Sequence, residues 1–187
     1  MRASPRSVLA AALMAFLGSL APAAWAQVPE YKLKAEFLER FTRFVEWPGD
    51  ETPEGGPGAF SVCVLSGSPF GPHLEEMAAN RKVKGRPIVI EEVKGLVDMT
   101  RCQILFIPAS EKSNLPRILA KTADHPILTV GDTDGFADKG VILNFYTSDD
   151  TVRFEVNEEA ARRSGLRLSS KLMKLARVVH PAEEERR

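Results

Sequence analysis

The sequence predicts an α/β fold: a single domain with a mostly parallel sheet, a C-terminal β-hairpin at one side and helices on both faces. Three observations predict it. Between residues 60 and 131, short apolar runs alternate with amphipathic stretches, the pattern of strand–helix–strand units. Those runs are continuously apolar, as strands covered on both faces are. From residue 141 onward, two runs joined by "TSDD" read as an antiparallel hairpin.

The elements follow in order. "MRASPRS" carries Arg2 and Arg6 and no acid, the apolar run "VLAALMAFLGSL" follows, and "APAAWAQ" supplies small residues at Ala24 and Ala26. This is the pattern of a cleavable signal peptide, 1–26, and hence of export to the periplasm. The apolar run is shorter than the roughly 20 residues that a membrane-spanning helix needs. The domain is expected over 27–181, with a polar tail at 182–187. The whole chain holds 25 basic and 25 acidic residues. Loss of Arg2 and Arg6 leaves a small acidic excess, so nothing marks a nucleic-acid binder.

"YKLKAEFLERFTRFVEW" predicts a first helix over 31–47, with Leu33, Phe37, Phe41 and Phe44 at helical spacing, flanked by Leu38 and Val45. Pro48 and Gly49 end it, and the Pro-, Gly- and acid-rich 48–58 is a loop. "FSVCVL" (60–65) is a strand, "GSPFG" a turn and "PHLEEMAA" a short helix. "RPIVIEEV" is a second strand, "CQILFIPAS" a third and "HPILTVGD" a fourth. "SNLPRILAKTA" is a helix capped by Ser113 or Asn114, with Pro116 in its first turn. In the hairpin, Val152, Phe154 and Val156 alternate with Arg153 and Glu155, predicting one buried and one wet face. "NEEAARRSG" is a helix with Asn157 as N-cap and Gly165 as its stop.

"LSSKLMKLARVV" (168–179) places Leu168, Leu172, Leu175, Ala176 and Val179 on one arc of a helix. That arc suits a core-facing helix, with Lys171, Lys174 and Arg177 solvated and Ser169 or Ser170 as cap. A partner-docking face stays open as the other reading. A membrane-surface helix would carry Trp or Phe on its apolar face and a denser basic face.

Cys63 and Cys102 are the two cysteines. In an exported chain that is the number for one disulfide, with two separate buried thiols as the alternative. A bridge needs Cα atoms within about 7 Å, so the strand at 60–65 should lie beside the start of the third strand, with the first strand central.

Catalytic and metal signatures are absent from the sequence. His73, His125 and His180 stand far apart, with no HxH or HxxxH pair. "LSGSPFG" lacks both G-x-G-x-x-G and a Walker motif, and "DTDG" lacks the later ligands of a calcium loop. No catalytic residue, cofactor or metal is therefore assigned. One positional argument remains: ligands of open parallel sheets settle beyond the carboxyl ends of the strands. There the sequence offers Ser66, Gly67, Ser110, Gly131 and Asp132 as a candidate ligand crevice.

"FLERFTRFVEWP", "FSVCVLSGSPFG", "VKGRPIVI", "CQILFIPAS", "ILTVGDTDGFADKGVILNF" and "VRFEVNEEAARRSGLRLSSKLMKLARVV", in this order, resemble the YfiR family of small periplasmic proteins. The resemblance runs over 31–179 and is most specific over 127–179. It implies an α/β sheet with helices on both faces and a non-enzymatic repressor. Such a repressor holds an inner-membrane signalling protein, a diguanylate cyclase or a sensor kinase, inactive through its periplasmic sensor domain and so acts on cyclic di-GMP signalling. It also implies an outer-membrane lipoprotein as a sequestering partner and redox sensitivity through disulfides, for which only Cys63 and Cys102 match here. A homodimer stays open. Candidates for the partner surface are Phe136, Lys171, Lys174 and Arg177, together with the helix around 157–165. The runner-up is a periplasmic small-molecule sensor module that uses the strand-end crevice.

Overall fold

The computed structural model describes residues 30–49 and 58–180. The signal-peptide reading, residues 50–57 of the predicted loop and the polar tail lie outside the described residues. The chain forms α1 (Glu30–Phe41), β1 (Val45–Glu46), β2 (Phe60–Leu65), α2 (His73–Asn80), β3 (Lys82–Val83), β4 (Arg86–Val93), β5 (Ile104–Ile107), α3 (Leu115–Thr122), β6 (Leu128–Gly131), β7 (Leu143–Ser148), β8 (Thr151–Val156), α4 (Glu158–Arg163), β9 (Arg167–Leu168), α5 (Ser170–Leu175) and β10 (Arg177–Val178). Single 3₁₀ turns at Asp98–Arg101 and Ala109–Glu111 flank β5.

The main sheet has the order β10-β8-β7-β6-β5-β2-β4-β3. β4, β2, β5, β6 and β7 are parallel to one another. Counted among themselves, these five follow the doubly wound order 2-1-3-4-5, which reverses between β2 and β5. The β7–β8 hairpin closes through Asp149 and Asp150, both at positive φ (51° and 55°). Two successive left-handed residues make the turn whose twist matches the strands, and Asp tolerates that conformation.

Strand alternation builds two cores. Val62, Val64, Ile104, Phe106, Leu128, Val130 and Phe145 face α1 and α2 through Leu38, Phe41, Leu74 and Met77. Cys63, Leu65, Leu105 and Ile107 face the opposite way, onto Leu115 and Ile118 of α3, Met99, Phe136 and Val141. At the central strands β2, β5 and β6 both faces are covered, so these strands read as unbroken apolar runs.

Three expectations are corrected. The first helix stops at Phe41, not at residue 47, where the Thr42 hydroxyl donates to the Glu39 carbonyl at 2.6 Å. Val45–Glu46 then pairs antiparallel with Leu168–Arg167 in a separate two-stranded sheet. Buried Val45, exposed Glu46 and buried Trp47 carry a strand's period of two, which the helical reading of the same apolar residues overlooked. The helix over 168–179 shrinks to α5. Leu168 lies in β9, Ser169 caps α5 by accepting from the Leu172 N–H, and Ala176 leads into β10. Leu172 is buried, but Leu175 is 71% exposed, because so short a helix has no further turn to bring that residue back to the core. Finally, Glu155 is buried instead of wet, because β10 joins the sheet as an extra edge strand beside β8.

Candidate functional site

The five crevice residues split into two groups. On the β2 side, Ser66 and Gly67 follow β2, and Ser110 lies exposed in the turn after β5. Ser66 holds a left-handed φ of 46°, uncommon for a residue with a Cβ, while its N–H donates to the Val93 carbonyl. The Gly67 N–H donates to the Glu92 carboxylate at 3.2 Å. Ser66 borders a depression of about 170 Å³ whose rim carries Lys94, Gly95, Glu111, Asn114 and Arg117, over a floor of Leu65, Leu96 and Ile118. It sits where the strand order reverses, the usual place for a ligand in this topology.

On the β6 side α1 covers Asp132. The Tyr31 hydroxyl donates to Asp132 Oδ2 at 2.9 Å and Lys34 Nζ lies 2.8 Å from the same oxygen. Lys34 also pairs with Glu30 at 2.5 Å and stands over the Tyr31 ring. Both Lys34 and Asp132 are buried. Burial first, then the hydrogen bond to Asp132 and its charge, push the Tyr31 phenol well above the ordinary tyrosine value. Gly131 is confined as well: an added Cβ would lie 2.8 Å from Phe136 Cδ2 and 3.1 Å from Asn144 Oδ1. Sequence reasoning missed Tyr31 and Lys34 because they meet Asp132 across about a hundred residues. Their one signal was a basic residue inside an otherwise apolar helix face.

The proposed partner surface also divides. Phe136 is fully buried over Gly131, in the core beside Val141 and Ile118, so it offers nothing to a partner. Its setting in "DGFADKG" looked like an exposed loop, but the turn folds back over the sheet. Lys171 and Lys174 are exposed on α5, beside exposed Leu175. Arg177 is exposed too, its side chain 57% accessible, but its guanidinium is already engaged. Its guanidinium donates to the buried Glu155 carboxylate and lies 4.2 Å from the Tyr146 ring centroid. That hydrogen bond is the main reason its pKa is raised. Glu155 also accepts from Asn144 Nδ2, and Asn144 Oδ1 accepts from the Thr133 N–H. In α4, Ala160 and Ala161 pack inward, while Glu158, Glu159, Arg162 and Arg163 face water.

The Cys63–Cys102 disulfide is formed, with Cα atoms 5.9 Å apart. It ties β2 to the segment entering β5, where Val62 and Ile104 are in register. Among the described residues, no group of three or more His, Cys, Asp or Glu side chains is placed to hold a metal ion. Nor is any described helix long and apolar enough to cross a membrane.

Two solved structures share the fold. A conserved domain protein from Vibrio cholerae O1 biovar El Tor superposes with a TM-score of 0.53 at 10% identity, over 81% of this chain and 60% of that one. An ABC domain from Streptococcus pneumonia, solved in complex with L-Trp, gives 0.51 at 12% identity, over 80% and 62%. The chain thus spans about three-fifths of either structure, and at these identities the likeness concerns architecture alone. The family model described as YfiR/HmsC-like matches residues 31–177, from the tyrosine that binds Asp132 to the arginine that binds Glu155. The resemblance read in the sequence is therefore a membership: this chain belongs to the YfiR/HmsC-like family.

Proposed function

We propose that this protein is a periplasmic, non-enzymatic regulator that represses a membrane-bound signalling protein, first among them a diguanylate cyclase, by binding its periplasmic sensor domain. The observation that carries the reading is the family match across 31–177, nearly the whole described chain, since that family is one of periplasmic regulators. The signal-peptide pattern at 1–26 agrees with it. Repression of this kind needs no chemistry, only a preference for one state of the partner. About 5.5 kcal/mol of preference moves a two-state partner from 1:99 to 99:1.

The docking surface we favour is α5, where Lys171, Lys174 and Leu175 are exposed together. A cationic pair beside one large apolar side chain suits a partner with an acidic rim around an apolar pocket. The test is deletion of the gene with measurement of cellular cyclic di-GMP, followed by recovery of partners from detergent-solubilised membranes. A rise in cyclic di-GMP and capture of a cyclase are expected. An unchanged level removes that partner class.

A further inference from the structure

We propose that the depression at the β2/β5 reversal binds a small organic anion, a carboxylate on a short apolar body, between Lys94 and Arg117. Lys94 leaves the end of β4 and Arg117 stands in the first turn of α3, and both border the same cavity. Neither makes an ion pair with another described residue. The cavity's one acid, Glu111, accepts a 2.8 Å hydrogen bond from Asn114 Nδ2. With two cations against one acid, the rim keeps a net positive charge that an anion would neutralise. The floor is apolar: Leu65 and Ile118 are buried and Leu96 is half-buried. A charged head at the rim and an apolar body on the floor match both halves of this lining. The volume of about 170 Å³ limits the body to a single ring or a short chain.

The disulfide supports the rim from behind. Cys63 and Cys102 pack in the same core as Leu65, Leu96 and Ile118, and Cys102 ends the loop that carries Lys94 and Leu96. The left-handed Ser66, which also borders the cavity, is a costly local conformation at this point. This inference does not rest on the regulator reading, because its test uses purified protein without a partner.

The test is an amide-resolved NMR titration of the mature chain with sodium benzoate, alongside benzamide and inorganic phosphate. Saturable benzoate shifts are expected at Ser66, Gly95, Leu96 and Arg117, with little response to benzamide. Lys94→Met and Arg117→Met should each weaken binding about tenfold or more without lowering the melting temperature. Any of three results overturns the proposal: no saturable shift up to about 10 mM benzoate, an equal response to phosphate or benzamide, or unchanged benzoate binding in both variants.

Discussion

The two ends of one sheet edge treat charge in opposite ways. Beside β6 and β7 the two buried carboxylates each have a cation delivered from a distant segment: Lys34 of α1 reaches Asp132, and Arg177 of β10 reaches Glu155. Beyond β2 and β4, Lys94 and Arg117 border a cavity and bind no acid among the described residues. Both ends consist of small and polar residues in sequence, so composition does not separate them. What separates them is whether the first and last described elements, α1 and β10, reach that end. The difference teaches that the closed end is a clamp that fixes the first and last described elements to the sheet, while the open end has charge to spare.

The largest expected effect comes from breaking the clamp. Lys34→Met leaves Asp132 buried with only the Tyr31 hydroxyl, and loss of one partner of a buried pair costs about 3–5 kcal/mol. Urea denaturation should show that loss, and Lys34→Met/Asp132→Leu should recover much of it, since apolar replacement of both partners is often neutral. A single-variant loss under about 1 kcal/mol would mean that the pair is solvated and the two ends are less different than they look. Next comes the staple behind the open end. The bridge closes a sequence separation of 39 residues, and replacing both cysteines with alanine should cost about 2–4 kcal/mol. The cavity-rim loop should then exchange its amide hydrogens faster than β6 does. Equal acceleration at both ends would show that the staple acts on the whole fold.

Much of this was legible because it is local. The strands β2, β4, β5 and β6 announced themselves as apolar runs, and Asn157 and Ser169 as caps, since each signal lies within a few residues. The disulfide followed from compartment and count, and it correctly placed β2 beside β5. The illegible features are long-range. Val45–Glu46 needs Arg167–Leu168 to be a strand, and Glu155 is buried only because Arg177 arrives. Phe136 looked available because a loop sequence does not say which way its turn folds. Lys94 and Arg117 escaped notice for the opposite reason: a cation that lacks an acid in space looks the same in sequence as one that has it.

A smaller effect is confined to high pH. Burial and Asp132 raise the Tyr31 pKa in the folded chain, whereas the unfolded chain loses that proton near the ordinary value of about 10. Above that pH the unfolded state binds fewer protons than the folded one, so stability falls as pH rises. The contribution is fully present below about pH 10 and is lost as pH climbs through the folded value. Tyr31→Phe should flatten this alkaline slope. The same slope in both proteins would assign the loss to other groups and detach Tyr31 from the clamp.

The smallest effect on stability is expected where charge is again spare, on α5. Lys171 and Lys174 are exposed, and Leu175 leaves most of its side chain in water. Lys171→Glu/Lys174→Glu and Leu175→Ser should each change stability by no more than about 0.5 kcal/mol, since none removes a buried contact. Arg177→Ala, only a few residues away, should cost more because it strands the buried Glu155 carboxylate. Capture of the membrane partner separates the two roles. If α5 docks, the charge reversal and the Leu175 variant lose the partner while melting like the wild type, and Arg177→Ala loses stability first. If all three α5 changes leave capture intact, these spare charges are a solvated surface and docking lies elsewhere. The contrast between committed and free cations would then hold for the fold without extending to the partner.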